Sequence, residues 1–428
     1  MIRRIVFAVP GALAQRTGGY LYAQRVVDGL RAMGCEVQVA ELAGCFPQAD
    51  EVARGAAEAA LVAAPQGSVV VIDGLALPAF DRALVRATGR LPVLGFIHHP
   101  LALETGLSVG AAARLGAIEV ALWSRLDGLI CASPATAREV LAAGISSRRI
   151  AVAEPGVDVP PLDVDAGKER GDGPVRLLCV ATVTPRKNHQ MLVKALARVR
   201  SAGWRLDCVG SLDRDPATVA SLRRSIDELG LADRIMLHGE QPDTWLAGVW
   251  QDADLFVLAS DHEGYGMVYT EALAQGVPIV ATRAGATPDT IPASACRLVP
   301  PRDVAALAGA LDALISSGRQ RQTLRDGARR ARERLVPWPA AVRRWANALD
   351  RLGDRAPIGS GSGSGSESGS ASGRWPGAGA PEPAGGAPEP VRGGPEPVRG
   401  GPEPARVARP EGPGRMALGA RLNAEHRR

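Results

Sequence analysis

Short apolar runs recur along the chain, and stretches of helical period separate them. In the first half the runs are residues 2–9, 37–40, 68–72, 91–97, 128–132 and 150–153. The stretch 20–33 carries Leu21, Val26, Val27 and Leu30 at helical spacing, and Gly34 stops it. Runs that are apolar throughout suit strands buried on both faces of a parallel sheet. Their alternation with helices predicts an α/β, doubly wound architecture. Residues 154–174 are rich in Pro, Gly and Asp, which breaks the pattern as a linker does. The alternation then restarts, with strands at 175–180, 205–209, 235–238, 255–258 and 278–281 and helices at 188–201, 221–229, 244–253 and 267–275. Helical patterns at 304–317, 320–335 and 339–351 close it.

The expected organisation is a Rossmann-like domain over 1–160, a linker over 161–174, a second Rossmann-like domain over 175–337, a closing helix over 338–353 and a tail over 354–428. The tail alternates Gly and Ser over 359–373, then repeats Pro-Glu-Pro from Pro381, Pro388, Pro395 and Pro402. Such a composition has too little apolar surface to form a core, so the tail is expected to be disordered.

Composition changes this picture little. The 428 residues are 46% hydrophobic and carry a net charge of +5, enough apolar matter for two domains and no dense basic block. That mild charge permits peripheral contact with an anionic membrane and gives no reason to expect nucleic acid as a partner. Met1-Ile2-Arg3-Arg4 and Ala12-Leu13-Ala14 imitate a secretion signal, but Pro10 and Gly11 interrupt the apolar stretch, so 2–9 reads as a strand. No apolar run approaches the roughly 20 residues of a membrane-spanning helix, so a cytoplasmic location is expected. Cys35, Cys45, Cys131, Cys179, Cys208 and Cys296 are scattered, with no C-x-x-C pair and no histidine cluster. That fits a reducing compartment and gives no zinc spacing.

The candidate chemistry sits in residues 260–281, SDHEGYGMVYTEALAQGVPIVA. Gly264 and Gly266 flank Tyr265 just ahead of a helix starting at Met267, so unpaired amides, including those of Met267 and Val268, face the loop. Glycines there let a ligand approach the backbone. Glu263 precedes the loop and Glu271 lies about one turn into the helix. A second loop, 181–188, follows strand 175–180 and carries Arg186 and Lys187 at a helix start, where cations oppose the helix dipole and so call for a purpose. Side chains at the carboxyl ends of parallel strands face the ligand crevice of such sheets. Two fixed cations there can neutralise a diphosphate.

The pattern from Glu263 to Pro278, E-G-Y-G-x-x-x-x-E-A-x-A-x-G-x-P, resembles glycosyltransferase family 4, retaining transferases of the GT-B fold. The resemblance covers residues 2–351 and implies two Rossmann-like domains with a cleft between them, the last helix crossing back to the first domain. It implies a metal-independent enzyme without cofactor that moves a hexose from a UDP- or GDP-linked donor to a hydroxyl on a glycan, lipid or small molecule. Arg186 and Lys187 carry over as diphosphate ligands, and Glu271 as the ribose ligand. Glu263 carries over as the carboxylate beside the transferred sugar, whether as electrostatic support in a front-face reaction or as nucleophile in a double displacement. Gly18 and Gly19 match the family's glycine loop, and His98 its donor-contacting histidine, with His99 leaving the register open. Asp289 stands where many members have a glutamate, and Ala153-Glu154-Pro155-Gly156-Val157-Asp158 departs from the usual Pro-Asn-Gly-Val-Asp. The alternatives are a sugar-nucleotide epimerase on the same fold, or a non-catalytic sugar-nucleotide or glycan binder.

Overall fold

A computed structural model describes residues 2–87, 89–161 and 173–353. The expected tail and most of the expected linker lie outside the described residues. Two six-stranded sheets, parallel throughout, make up the described chain. The first contains β1 (Arg4–Pro10), β2 (Glu36–Leu42), β3 (Val69–Asp73), β4 (Val93–Ile97), β5 (Gly128–Cys131) and β6 (Ile150–Val152), in the order β2-β1-β3-β4-β5-β6. The second contains β7 (Val175–Val180), β8 (Trp204–Val209), β9 (Ile235–Gly239), β10 (Leu255–Leu258), β11 (Ile279–Thr282) and β12 (Cys296–Val299), in the order β12-β11-β10-β7-β8-β9.

Helices α1 (Gly18–Ala32), α2 (Glu51–Ala63), α3 (Ala83–Ala87), α4 (Val109–Trp123) and α5 (Pro134–Ala142) accompany the first sheet. Helices α6 (His189–Leu196), α7 (Pro216–Glu228), α8 (Asp243–Asp252), α9 (Met267–Ala274), α10 (Thr287–Thr290), α11 (Val304–Ser316) and α12 (Gly318–Arg332) accompany the second, and α13 (Trp338–Gly353) ends the described chain. No described helix is long and apolar enough to cross a membrane.

The apolar runs become strands because both faces of each sheet are covered. Along β1, Val6 and Ala8 enter one buried cluster, while Ile5, Phe7 and Val9 enter another on the opposite face. That second cluster is closed by α13. Trp345 is fully buried against Phe7 and Phe96, and its indole N–H donates to the Tyr22 hydroxyl at 2.8 Å. Tyr22 in turn donates to the Ala153 carbonyl. Leu349 and Leu352 extend the contact, so the last helix packs on the first sheet.

Two helices depart from the sequence reading. The expected helix 188–201 shortens to His189–Leu196. Asn188 takes a left-handed conformation (φ 49°) and caps it, and the amides of Arg200 and Ser201 leave the helical ladder for the Asp312 carboxylate. The helix expected at 221–229 begins earlier, at Pro216, where Asp215 caps the Thr218 amide and proline fits the first helical position.

Candidate active site

Strand order reverses between β7 and β10 in the second sheet and between β1 and β3 in the first. A crevice opens at such a reversal, past the carboxyl ends of the strands. The loops after β7 and β10 carry the two motifs; the loop after β4 meets them from the first domain through His98 and Glu104, while the loop after β1 reaches the loops after β8 and β9 through Gln15 and Arg16.

Glu263 is the hub. It is only 4% exposed, and its Oε1 accepts from Lys187 Nζ at 2.6 Å and from Ser260 Oγ at 2.5 Å. Arg186 Nη1 lies 3.8 Å from its other oxygen. Burial pushes the Glu263 carboxyl up, but the Lys187 and Arg186 charges outweigh it and hold the group at about 2. The Lys187 ammonium is itself pushed down, by burial first, against the pull of Glu263. Gly285 lets the backbone close behind this glutamate. Its φ is 54°, a Cβ there would run into the Glu263 carbonyl, and the Ala286 amide donates to that same carbonyl at 2.8 Å.

Arg186 and Lys187 do not stand on the helix itself. They occupy a 3-10 turn, Pro185–Lys187, ahead of the left-handed Asn188 that caps α6, so they escape most of the dipole conflict expected from sequence. Arg186 donates to the His262 carbonyl at 3.1 Å and reaches across the seam to Glu104, Nε to Oε1 3.2 Å. Burial pushes Glu104 up, but its hydrogen bond with His99 (3.2 Å) and the Arg186 charge bring it down to about 2.

The glycines divide their work differently from the sequence reading. At Gly264 the close approach is made by the first domain, not by a ligand, because an added Cβ would sit far inside contact distance of the His98 carbonyl oxygen. Thr136, buried on α5, bridges the same two residues, its hydroxyl 3.1 Å from the His98 carbonyl and 3.3 Å from that of Gly264. Gly266 (φ 85°) is the N-cap of α9 and offers no side chain to its amides, so those of Met267 and Val268 start the helix without a side-chain cap. The Tyr265 carbonyl accepts from Thr290 at 2.8 Å, and burial pushes the Tyr265 phenol upward. Asp289 pairs across the seam with Arg138.

The two histidines separate. His98 Nε2 lies 2.9 Å from Asp73 Oδ2, and its ring faces Gly19, where an added Cβ would come within 3.5 Å. His99 turns to Glu104 and to the ring of His262, 5.8 Å away. Gly18 and Gly19 open α1, whose N-cap Thr17 makes no side-chain cap, and Gly18 faces open space. Among the described residues no ion pair joins Glu271 to Arg186 or Lys187, and no donor reaches its carboxylate. Burial, with Asp158 and Asp243 nearby, pushes it up to about 7.

Sequence reading missed Asp73, Glu104, Thr136 and Ser260. Asp73 had a signal, since it ends a parallel strand beside the reversal point. It also missed that Cys179, His189 and Cys208, scattered in sequence, gather in one buried cluster.

Residues 174–317 match the family model described as glycosyl transferases group 1. A curated relative, MMP alpha-(1->4)-mannosyltransferase of Mycolicibacterium hassiacum, is 29% identical over 59% of this chain and 63% of its own length. D-inositol 3-phosphate glycosyltransferase of Segniliparus rotundus is 33% identical over 33% of each chain. The chain thus spans less than two thirds of these relatives. Among solved structures, sucrose-phosphate synthase of Thermosynechococcus elongatus superposes with a TM-score of 0.69 at 21% identity, over 82% of this chain and 99% of that one. Anabaena HepE, in complex with UDP and glucose, gives 0.66 at 19% identity over 81% and 99%. The chain therefore has the GT-B fold and carries, in its second domain, a region of the glycosyl transferases group 1 type.

Proposed function

We propose that this protein is a retaining glycosyltransferase that moves a hexosyl group from a UDP- or GDP-linked sugar to a hydroxyl acceptor. The observation that carries the reading is the buried Glu263, gripped by Lys187 and Arg186 at the seam beneath the His98 loop. Two relatives' descriptions add support, since HepE is described in complex with UDP-glucose and a mycobacterial relative as GDP-mannose-dependent.

In this reading the donor pyrophosphate replaces Glu263 and Glu104 as partner of Arg186 and Lys187. The uncapped α9 amides of Met267 and Val268 meet its oxygens. Glu271, in its ionised form, accepts from the ribose hydroxyls. His98, oriented by Asp73, meets the sugar, and Gly18 and Gly19 leave room for donor and acceptor. The bond from the anomeric carbon to the phosphate oxygen breaks and a bond to the acceptor oxygen forms on the same face. The acceptor proton passes to the departing phosphate. Glu263, ionised at any physiological pH, stabilises positive charge on the sugar and is no proton donor. No step calls for a metal or other cofactor.

The test is a thermal-shift panel of nucleoside diphosphates and their sugars, followed by detection of nucleoside diphosphate release with candidate acceptors. A stabilising diphosphate whose effect vanishes in Lys187→Ala supports the reading. A panel that shifts nothing, or a donor isomerised without acceptor, overturns it.

A further inference from the structure

Three side chains that the proposed reaction does not use meet in the core of the second domain. Cys179 on β7 and Cys208 on β8 are direct partners in the parallel register. Side chains so paired point to the same face of the sheet. His189, first residue of α6, is folded over that face, with Nε2 3.6 Å from the Cys179 sulfur. The ligand atoms of all three lie within 4.8 Å of one another. None is more than 4% exposed.

As a purely structural group this trio is poorly satisfied. The Nδ1 of His189 is buried without a partner, and Nε2 has only a thiol. A buried imidazole left this way costs stability that hydrophobes of the same size would not. Two sulfurs and an imidazole are, however, the ligand set of soft metal ions. With metal–sulfur and metal–nitrogen bonds of about 2.3 and 2.0–2.1 Å, an angle between tetrahedral and trigonal separates sulfur from nitrogen by about 3.6–3.8 Å, which matches the 3.6 Å between Cys179 and His189. Among the described residues no fourth histidine, cysteine or carboxylate joins the group. Zinc(II) in closed sites takes four ligands, so a three-ligand set favours copper(I), which accepts lower coordination.

We infer that Cys179, Cys208 and His189 form a buried binding site for one soft metal cation, copper(I) in preference to zinc(II). Binding exchanges up to two thiol protons, released to solvent, for two metal–sulfur bonds, and involves no change of oxidation state. Because His189 follows Lys187 by two residues, occupancy would also fix the turn that carries Arg186 and Lys187. The site does not depend on the proposed transfer reaction, and its test needs no turnover.

The full chain, reduced and stripped of metal, is titrated anaerobically with copper(I) against a chromophoric chelator, and in a parallel arm with zinc(II). Peptide mapping after alkylation then reports which thiols the metal protects. The expected result is one equivalent of copper(I) retained, Cys179 and Cys208 protected, and Cys45→Ser unchanged. Cys208→Ser and His189→Gln should each bind on the order of a hundredfold more weakly. If Cys208→Ser fails to fold, His189→Gln, which keeps both sulfurs, and the protection pattern of the unaltered chain decide. One equivalent of zinc(II) with the same residue dependence upholds the site and overturns the copper preference. Loss of both metals to the chelator, undiminished binding in His189→Gln, or protection confined to other cysteines overturns the site.

Discussion

Replacing Glu263 by glutamine tests the hub of the site. The carboxyl is held at about 2 instead of its ordinary 4.5, the cations overcoming the burial that opposes them. A difference of roughly 2.5 units at about 1.4 kcal/mol each amounts to about 3.4 kcal/mol supplied by the ionised carboxylate at neutral pH. Lys187 reads the other way, its ammonium pushed down by burial despite Glu263. Part of Glu263's gain is therefore consumed in keeping that lysine charged. The figure is a ceiling, and we expect Glu263→Gln to cost about 2–3 kcal/mol, the amide keeping its contact with Ser260 while leaving two cations without a counter-charge.

The pH signature follows from the sign of the shift. A carboxyl held below its unfolded value adds stability above about 4.5 and loses it as pH falls toward 2. The gap between wild type and variant should be level from about pH 6 to 8 and should narrow in acid. Nucleoside diphosphate binding should survive or tighten, because the competing carboxylate is gone, while transfer should fall by about 10²–10³. Urea unfolding at several pH values, together with nucleotide-induced thermal shifts, measures both effects. Unchanged stability at pH 7, or loss of nucleotide binding along with turnover, would refute the reasoning.

Lys187→Ala should lower kcat by about 10²–10³ by removing charge at the leaving group, and near-normal kinetics would reject that role. Glu271, pushed to about 7 by burial and by neighbouring Asp158 and Asp243, should bind the donor better as pH rises through 7. In Glu271→Gln the donor's KM should be flat with pH, and a persisting slope would assign the titration elsewhere. Gly264→Ala drives a methyl into the His98 carbonyl and should cost about 100-fold in kcat/KM. The unfolding midpoint should barely move, since each domain has its own core. Trp345→Ala should cost about 3–5 kcal/mol of stability, measured by denaturant titration, with smaller losses arguing that α13 packs loosely.

The inner strands were legible because burial on both faces leaves no polar alternation to misread, whereas the edge strand β12 (Cys296–Val299), short and partly exposed, was missed. Helices of the first half had weaker signals. α2 is alanine-rich, so its buried and exposed faces differ little in composition, and the signs of it were local, such as Asp50 capping the Ala53 amide. Within the site, the two motifs of the second domain were legible because each is a contiguous loop. What faces them was not, since the contact of His98 with Gly264 and of Glu104 with Arg186 depends on how the two domains meet. Likewise no local spacing announces that Cys179, His189 and Cys208 share one face, because the register of β7 with β8 makes that pairing.

Under the proposed function, the seam offers a route by which a substrate would reach the buried hub. Most of its polar links, Arg16 to Asp243, Arg138 to Asp289 and Arg214 to Gln15, lie near solvent. Such exposed pairs contribute about 0–1 kcal/mol each, so opening the seam costs little in charge. The specific contact is short-range and polar, His98 and Gly264 joined through Thr136. Arg186 connects the two regimes, for it holds Glu104 of the first domain and Glu263 of the second at once. In the proposed reaction, a donor pyrophosphate would compete with both carboxylates for that one guanidinium. Closure over the donor would then re-form the His98–Gly264 contact without requiring Arg186 to return to Glu104, so that donor binding and domain closure would be coupled through Arg186.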